Sequence, residues 1–214
     1  MRTSPAGGVR VAVLARRARL GVGKTRLAED IGAEATLRIY RFLIARTAAV
    51  VAASGLPATV FFADDGPGDE DVWRPGRFRT ARQVAAPLLG DRLLGAAREV
   101  LAEAETQGVL LVGTDCPGLT PDLLREAAVA VAEGAAALGP SVDGGYYLLG
   151  VPAAPEALFA GIPWSSPDTG ARQKDALHAL GWPLHELRQL RDIDEVEDWR
   201  AFAKTDPAAA NLGI

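Results

Sequence analysis

The sequence predicts an α/β fold, a three-layer α/β/α sandwich around a mostly parallel sheet. Short apolar runs typical of buried strands alternate with helical patterns along the chain, which favours repeated strand-helix units. The clearest run, Val109–Pro117 (VLLVGTDCP), is apolar or Gly at five of its first six positions, as a strand buried on both faces is. With 214 residues, 49% of them hydrophobic, the chain can bury one sizeable core. We therefore expect a single domain over residues 1–214.

Hydrophobic periodicity places the individual elements in chain order. The expected strands are short apolar runs at Val9–Ala15, Ala58–Ala63, Phe78–Val84, from Val109 onward, Ala135–Pro140, Tyr146–Val151 and Leu184–Leu190. The expected helices carry an apolar stripe and cover Lys24–Ile31, Ala33–Ser54, Asp91–Thr106, Thr120–Glu133, Ser166–Leu180 and Asp194–Lys204. Asp64–Arg77 is acidic and then rich in Gly and Pro, so we expect an exposed loop with at most a short helix near Trp73. The tail after Asp206 is expected to be loose.

Three of the expected helices begin with a capping signature. Thr120-Pro121-Asp122 offers an N-cap hydroxyl, a proline at the first helical position and a carboxylate in the first turn. Ser166-Pro167-Asp168 repeats this pattern. Asp194–Glu197 (DEVE) matches a capping box with Asp at the N-cap and Glu at N3.

Composition excludes several classes of protein. The net charge of −4 argues against a nucleic-acid-binding surface. No apolar run reaches the roughly 18 residues that span a bilayer, and a single cysteine excludes an internal disulfide and a cysteine-cluster metal site. The cytoplasm is therefore the expected compartment.

Asp115 follows the predicted central strand directly. Ligands of open α/β sheets bind outside the carboxyl ends of the strands, and a carboxylate fixed there suits a hard cation held over a phosphate. Asp115 is thus a candidate metal ligand, with a simple turn or helix cap as the alternative.

The loop Arg16–Arg26 (RRARLGVGKTR) lies between the first strand and the first helix. Backbone N–H groups and nearby cations in such a loop favour an anion such as phosphate, although a solvated basic loop would have the same composition. Gly23-Lys24-Thr25 also supplies the second half of the P-loop pattern GxxxxGK[ST], with Ala18 where its first glycine belongs. A P-loop NTPase is therefore a rival hypothesis.

A Gly-rich turn follows the fifth predicted strand, in the stretch Gly139–Gly150 (GPSVDGGYYLLG). Asp143-Gly144-Gly145 lets backbone approach a ligand closely, and two tyrosines come next. Hairpin chemistry alone would explain the Asp-Gly pair, with both tyrosines in the core. Strand alternation predicts that just one tyrosine faces a pocket.

Five motifs in this order resemble one family: KTRL at Lys24–Leu27, GTDCPGLT at Gly113–Thr120, GPSVDGGYYLLG, IPWS at Ile162–Ser165 and DIDEVEDW at Asp192–Trp199. It is the bacterial family of glycosyltransferase-like proteins of the selenodomain-associated type, with the nucleotide-diphospho-sugar transferase (GT-A, Rossmann-like) fold. The resemblance covers residues 9–202 and extends more weakly to guanylyl and cytidylyl transferases.

The resemblance implies a role for individual positions. Leu14, Ala15 and Arg16 would line the nucleotide, and Lys24 and Arg26 would hold its phosphates. Asp115 matches the acidic metal-ligand position, for Mg²⁺ or Mn²⁺. Asp143 would position or deprotonate an acceptor hydroxyl, beside a sugar or acceptor pocket formed by Gly144, Gly145, Tyr146 and Trp164. Apart from the resemblance, Asp192, Asp194 and Asp198 are most simply a helix cap and first-turn carboxylates. A second metal ligand among them is the alternative. The family's usual Gly-Asp-Leu-Gly stretch reads Ala86-Pro87-Leu88-Leu89-Gly90 here.

These features together predict a metal-dependent transferase with a nucleotide or nucleotide-sugar donor and a small-molecule acceptor. Glycosyl transfer is favoured, because an aromatic face with a neighbouring carboxylate suits a polyol. Nucleotidylyl transfer on the same fold is the alternative. A P-loop NTPase and a nucleotide-binding protein without turnover are the lesser alternatives.

Overall fold

The computed structural model describes residues 8–64, 71–73 and 78–214. Its centre is a seven-stranded sheet in the order β3-β2-β1-β4-β6-β5-β7. The strands are β1 (Val9–Ala15), β2 (Ala58–Phe62), β3 (Arg79–Arg82), β4 (Gly108–Val112), β5 (Ala136–Pro140), β6 (Tyr146–Val151) and β7 (Leu184–Glu186). All neighbouring pairs are parallel except those of β6, which runs antiparallel to β4 and β5. The predicted α/β class with a mostly parallel sheet is confirmed.

Helices cover both faces of this sheet. They are α1 (Thr25–Ile31), α2 (Ala33–Ser54), α3 (Leu89–Leu101), α4 (Pro121–Ala132), α5 (Thr169–Ala179), α6 (Val196–Ala203) and α7 (Pro207–Ala210), with single 3₁₀ turns at Asp71–Trp73 and Glu156–Leu158. The turn at Trp73 agrees with the predicted short helix, but Trp73 is buried rather than exposed. The rest of that predicted loop lies largely outside the described residues. Within residues 8–64, 71–73 and 78–214, no helix has the length and apolar character that a bilayer crossing requires.

Two predicted element ends lie well beyond those of the structure. Helix α3 ends at Leu101 instead of Thr106, and Glu105 has a positive φ of 62° that a helix does not accept. Strand β7 ends at Glu186, and Leu190 returns to the sheet only as an isolated pairing with Ser141.

The capping predictions were right for α4 and displaced for the other two helices. The Thr120 side chain accepts from the Leu123 N–H at 3.3 Å, with Pro121 at the first helical position. Helix α5 begins later than predicted, with Asp168 rather than Ser166 at its N-cap. The hydroxyl of Thr169 donates to the carbonyls of Pro163 and Ser166, which stabilises a turn there instead of a helix.

The capping box of α6 is shifted by one residue from the prediction. Glu195 is the N-cap, and Asp198 at N3 accepts from the Glu195 N–H at 3.1 Å. This register buries both Val196 and Trp199, so packing rather than local capping preference selects it.

The prediction of a loose tail was wrong. Asp206 caps α7 by accepting from the N–H groups of Ala208 and Ala209, each at 3.0 Å. Ala209 is buried in a cluster with Leu27 and Trp199. Asp206-Pro207 is the same cap-then-proline signature that marks α4, and it was overlooked because the segment is short.

Three apolar clusters hold the fold together. One lies on each face of the sheet, with Val11 and Val13 in the first and Ala12 in the second, as strand alternation requires. The third joins α1, α2 and α6 through residues such as Leu27, Leu43, Trp199 and Ile193. Because Ile193 precedes Asp194, this third cluster fixes two loops beside the carboxyl ends of β1 and β4.

Candidate functional site

The carboxyl ends of β1, β2 and β4 open onto a pocket of about 810 Å³. The amino end of β6 borders the same pocket, because this strand runs in the opposite direction. A smaller adjoining pocket of about 300 Å³ surrounds Lys24. The site therefore lies where the topology of an open α/β sheet places ligands.

Lys24 is the central cation of the smaller pocket. Its side chain is 5% exposed, and its Nζ lies 2.9 Å from Asp115 Oδ1 and 3.1 Å from Asp194 Oδ1. The ammonium also donates to the Ile193 carbonyl. Burial lowers the pKa of Lys24, but the two carboxylates more than offset it, so the pKa is raised and the lysine stays charged. Lys24 thus neutralises Asp115, a role that the sequence did not indicate.

Backbone conformation directs Lys24 to these partners. Lys24 is the N-cap of α1 in the left-handed conformation, with φ 51° and no side-chain cap, and the preceding Gly23 also has a positive φ of 75°. A left-handed lysine is uncommon and costs about 1 kcal/mol. The three contacts of its ammonium supply the compensating interactions.

Asp115 combines a fixed backbone with an accessible side chain. Its carbonyl accepts from the Ile193 N–H at 2.9 Å, while its side chain is 46% exposed. Tyr40 lies nearby: its hydroxyl donates to the Arg16 carbonyl at 3.1 Å, and burial together with the Asp115 charge raises its pKa. Asp115 therefore has one oxygen held by Lys24 and a face open to the pocket.

Asp192 is the most perturbed carboxylate of the site. Burial, together with the charges of Asp115 and Asp143, raises its pKa to about 7. Its Oδ1 is buried and has no hydrogen-bond partner. An unpaired buried carboxylate oxygen is costly unless a proton or a cation reaches it.

The donor set fits a hard divalent cation. Asp115 and Asp192 supply carboxylate oxygens, the ligand type that Mg²⁺ and Mn²⁺ prefer. Across the described ranges, no three His, Cys, Asp or Glu side chains form a group that could hold a metal by themselves. Such a pair nevertheless suits Mg²⁺, which is usually held by one or two carboxylates together with substrate phosphates.

Two neighbours of this pair have structural roles. Asp198 caps α6 and lies 3.0 Å from Arg191. Cys116 is buried, its Sγ contacts the Arg191 carbonyl at 3.7 Å, and burial raises its pKa far above the ordinary value. A thiol so far from ionisation is not a nucleophile.

The structure is consistent with both interpretations of Asp143, as a residue that forms the turn after β5 and as a residue that faces a ligand pocket. Its Oδ1 accepts from the Gly145 N–H at 3.0 Å and from the Ser141 hydroxyl, so the carboxylate builds its own turn. The residue is also exposed and borders the larger pocket. Gly144 does not border the pocket. It has φ 89°, and a Cβ there would lie 2.1 Å from the Pro167 carbonyl oxygen.

Tyr146 and Tyr147 point to opposite faces of the sheet. The Tyr147 hydroxyl donates to the Arg188 carbonyl at 3.0 Å, and the Tyr146 hydroxyl donates to Gln173 Oε1 at 3.2 Å. The prediction that just one of them faces the pocket was wrong, because the pocket extends around the strand end and both border it.

Trp164 forms the far wall of the larger pocket. It stacks at a tilt on Phe159, with ring centroids 6.0 Å apart. A Cβ on Gly90 would lie 2.9 Å from the indole, so the glycine allows Trp164 to reach the start of α3. The next residue, Ser165, has a positive φ of 57°, a strained conformation of the kind that accumulates at functional sites.

The structure brings most predicted site residues to one place. Those that border the larger pocket are Leu14, Ala15, Arg16, Arg26, Asp115, Asp143, Gly145, Tyr146 and Trp164. Arg26 also pairs with Glu195 at 3.7 Å. Sequence reasoning missed Gln83, whose buried amide donates to the carbonyls of Ala15 and Phe61 at 3.3 and 2.9 Å. A polar residue at the end of the predicted third strand was the available signal.

This fold and pocket define a protein with the nucleotide-diphospho-sugar transferase fold. The chain belongs to the family described as "Uncharacterized protein conserved in bacteria (DUF2064)", whose model matches residues 46–166. The family and fold inferred from the five motifs are thereby confirmed. A search of curated proteins found no significant match.

Solved structures give the same fold. A protein from Desulfovibrio desulfuricans G20, provisionally assigned as a nucleotide-diphospho-sugar transferase, is similar at TM-score 0.84 and 23% identity, over 92% of this chain and 87% of that one. CMP:2-keto-3-deoxy-manno-octonic acid synthetase complexed with CTP is similar at TM-score 0.52 and 14% identity, over 92% and 98%. Rv0371c of Mycobacterium tuberculosis H37Rv, in complex with manganese, is similar at TM-score 0.52 and 16% identity, over 91% and 96%.

Proposed function

We propose that the protein is an Mg²⁺- or Mn²⁺-dependent transferase that uses a nucleotide or nucleotide-sugar donor. The observation that carries this proposal is that two carboxylates line one pocket together with basic side chains: Asp115, which follows β4, and Asp192, in the loop before α6. The charge of Asp115 contributes to the raised pKa of Asp192. The similarity in fold to structures that contain CTP and manganese supports the same class of donor and metal.

Asp115 and Asp192 would hold the metal, with the donor's phosphates completing its coordination. When bound, the ion neutralises negative charge on the leaving phosphate. The unpartnered Asp192 Oδ1 would gain a ligand bond in place of its missing hydrogen bond. Lys24 would hold the Asp115 side chain in position, since its ammonium already contacts that carboxylate.

Arg16 and Arg26 are the cations best placed for the donor phosphates. Both side chains are exposed and border both pockets. Arginine binds phosphate with paired, charge-assisted hydrogen bonds. Leu14 and Ala15 at the end of β1 supply the apolar surface for the nucleoside. A direct phosphate contact by Lys24 remains a prediction, because its ammonium has three protein partners in this structure.

The acceptor would bind between the turn after β5 and Trp164. Tyr146 and Trp164 offer aromatic surface, and Asp143 adds an exposed carboxylate. Sugar C–H groups pack on aromatic rings while their hydroxyls donate to carboxylates, so glycosyl transfer is our first choice. One oxygen of Asp143 holds the turn, and its second oxygen is the candidate to orient or deprotonate an acceptor hydroxyl.

Nucleotidylyl transfer is the second candidate, favoured by the similarity to a synthetase complexed with CTP. In that reaction the acceptor would attack the α-phosphate of the donor, and the same residues would hold the metal and the phosphates. The P-loop interpretation is weakened, because a P-loop lysine must reach the phosphates and Lys24 is buried against two carboxylates and a carbonyl.

Product analysis tests the proposal. The protein is incubated with nucleotide sugars or nucleoside triphosphates, candidate acceptors and Mn²⁺. Acceptor-stimulated release of a nucleoside diphosphate from a nucleotide sugar is expected. Release of pyrophosphate, with a nucleotide joined to the acceptor, would instead establish the second candidate. Sustained release of orthophosphate without an acceptor would favour an NTPase and contradict both.

A further inference from the structure

Four arginines border the larger pocket. Arg16, assigned above to the donor phosphates, makes no side-chain hydrogen bond or ion pair with a described residue. Arg26 pairs with Glu195, and Arg191 pairs with Asp198 at 3.0 Å. Arg92 makes no side-chain hydrogen bond or ion pair with any described residue, and its buried Nε has no partner. A guanidinium without a partner beside a cavity leaves strong donors free for an anionic ligand.

Arg92 lies away from the phosphate side of the site. Arg16, Lys24 and Arg26 surround the smaller pocket, and Arg92 does not border it. Arg92 belongs to the first turns of α3 and borders the larger pocket together with Leu89 and Leu93. These three positions are spaced i, i+3 and i+4, which places them on one face of the helix. The larger pocket therefore has a second positive region.

The surroundings of Arg92 are apolar and aromatic. Trp164 packs against Gly90 at the start of the same helix, so closely that a Cβ added to Gly90 would lie 2.9 Å from the indole. Leu93, Tyr146 and Trp164 belong to one apolar cluster. These three side chains carry no charge that could pair with the guanidinium, and they suit a flat or aliphatic ligand body.

We propose that Arg92 binds an anionic group of the acceptor, a carboxylate or a phosphate carried on an apolar or planar body that packs on Leu89 and Trp164. The identification of the ligand as the acceptor rests on the proposed function, but the anion site itself does not depend on turnover. Arg92 is a binding and specificity residue, separate from the arginines assigned to the donor.

Matched small probes test this site in the whole protein. NMR titration compares phenylacetate and phenyl phosphate with the neutral 2-phenylethanol, on the wild type and on Arg92→Gln. We expect both anions, or one of them, to bind tighter than the alcohol, and Arg92→Gln to weaken the anions roughly tenfold or more, since it removes charge-assisted hydrogen bonds. A preference for phenylacetate would indicate a carboxylate acceptor, and a preference for phenyl phosphate a phosphorylated one.

Two further variants make the assignment specific. Arg98→Gln lies on the same helix and its guanidinium contacts the Ala154 carbonyl instead of the pocket, so it should bind the probes like the wild type. Arg26→Gln tests the donor side. Anion binding that is lost in Arg26→Gln and kept in Arg92→Gln would overturn the proposal, as would anions that bind no better than the alcohol.

Nucleotide binding is measured on the same samples by calorimetry with CDP, UDP and Mn²⁺. If the wild type binds no nucleotide but still binds the anionic probes through Arg92, the donor assignment is refuted and the anion site stands. Intact nucleotide binding with no effect of Arg92→Gln on the probes would refute the anion site alone.

Discussion

Replacing Asp192 with Asn should stabilise the metal-free protein, and the gain should depend on pH. The pKa of Asp192 is raised from 3.8 to about 7 in the folded state. Since 1.36 kcal/mol corresponds to one pKa unit, ionising this buried carboxyl opposes folding by roughly 4 kcal/mol. Asn has similar size and carries no charge to ionise.

The direction of this pH dependence follows from the protons bound by Asp192 in the folded and unfolded states. Between about pH 4 and 7 the unfolded chain has released the Asp192 proton while the folded protein retains it, so wild-type stability falls as the pH rises through this window. Below the window both states are protonated, and above it both are ionised. The advantage of Asp192→Asn should therefore grow by about 3 kcal/mol between pH 4.5 and 8.

Urea unfolding in EDTA at the two pH values measures this difference. Asp175→Asn is a suitable control, because Asp175 is exposed and its nearest cation, Arg172, is 3.5 Å away. An equal advantage at pH 4.5 and pH 8 would refute the assignment of Asp192 as a strained carboxylate. Added Mn²⁺ should then stabilise the wild type more than the variant, because a metal binds the charged form.

Three other substitutions give separate predictions. Asp115→Asn should retain the fold and lose Mn²⁺-dependent nucleotide binding, and unchanged calorimetric affinity in Mn²⁺ would contradict the metal assignment. Lys24→Ala should weaken the binding of a nucleoside diphosphate roughly tenfold more than that of the free nucleoside, because it leaves Asp115 and Asp194 unneutralised. Lys204→Ala, at an exposed lysine, is the control. Equal weakening of both ligands by Lys24→Ala would argue against this role. Gly144→Ala should lower the free energy of unfolding by about 3 kcal/mol, since it adds a clash with Pro167 to an unfavourable φ. Gly21→Ala, with a positive φ and open space, should cost about 1 kcal/mol, so equal losses in the two variants would show that the Pro167 contact is unimportant.

Local sequence patterns were sufficient for the fold class, and they placed the candidate site at the carboxyl end of β4. The run before Asp115 is buried at every position of β4. The Thr120 cap could be predicted because its partner, Leu123, lies three residues away. Those features depend on short-range periodicity and capping, which the sequence expresses directly.

The pairings within the site could not be predicted in the same way. Lys24 meets Asp194 across 170 positions, and no spacing rule links residues so far apart. Asp192 stands out because its Oδ1 is buried without a partner, and Arg92 because its Nε is buried without a partner. Both properties are created by the packing of α3 and of the loop before α6, so they become visible with the three-dimensional structure.

The contact between Gly144 and Pro167 has a consequence for how such a protein can diversify. The Gly144 carbonyl also accepts from the Gly170 N–H at 2.8 Å, so the turn after β5 and the segment leading into α5 are joined. The proposed donor side is built from other elements, namely β1, β4 and the Lys24 loop. In the transferase proposed above, an evolutionary change of acceptor would therefore require both joined segments to change together, whereas the proposed donor half could be inherited unaltered. Grafting only one of these two segments from a relative should yield a strained hybrid, and grafting the two as a unit is the sound design for a chimera.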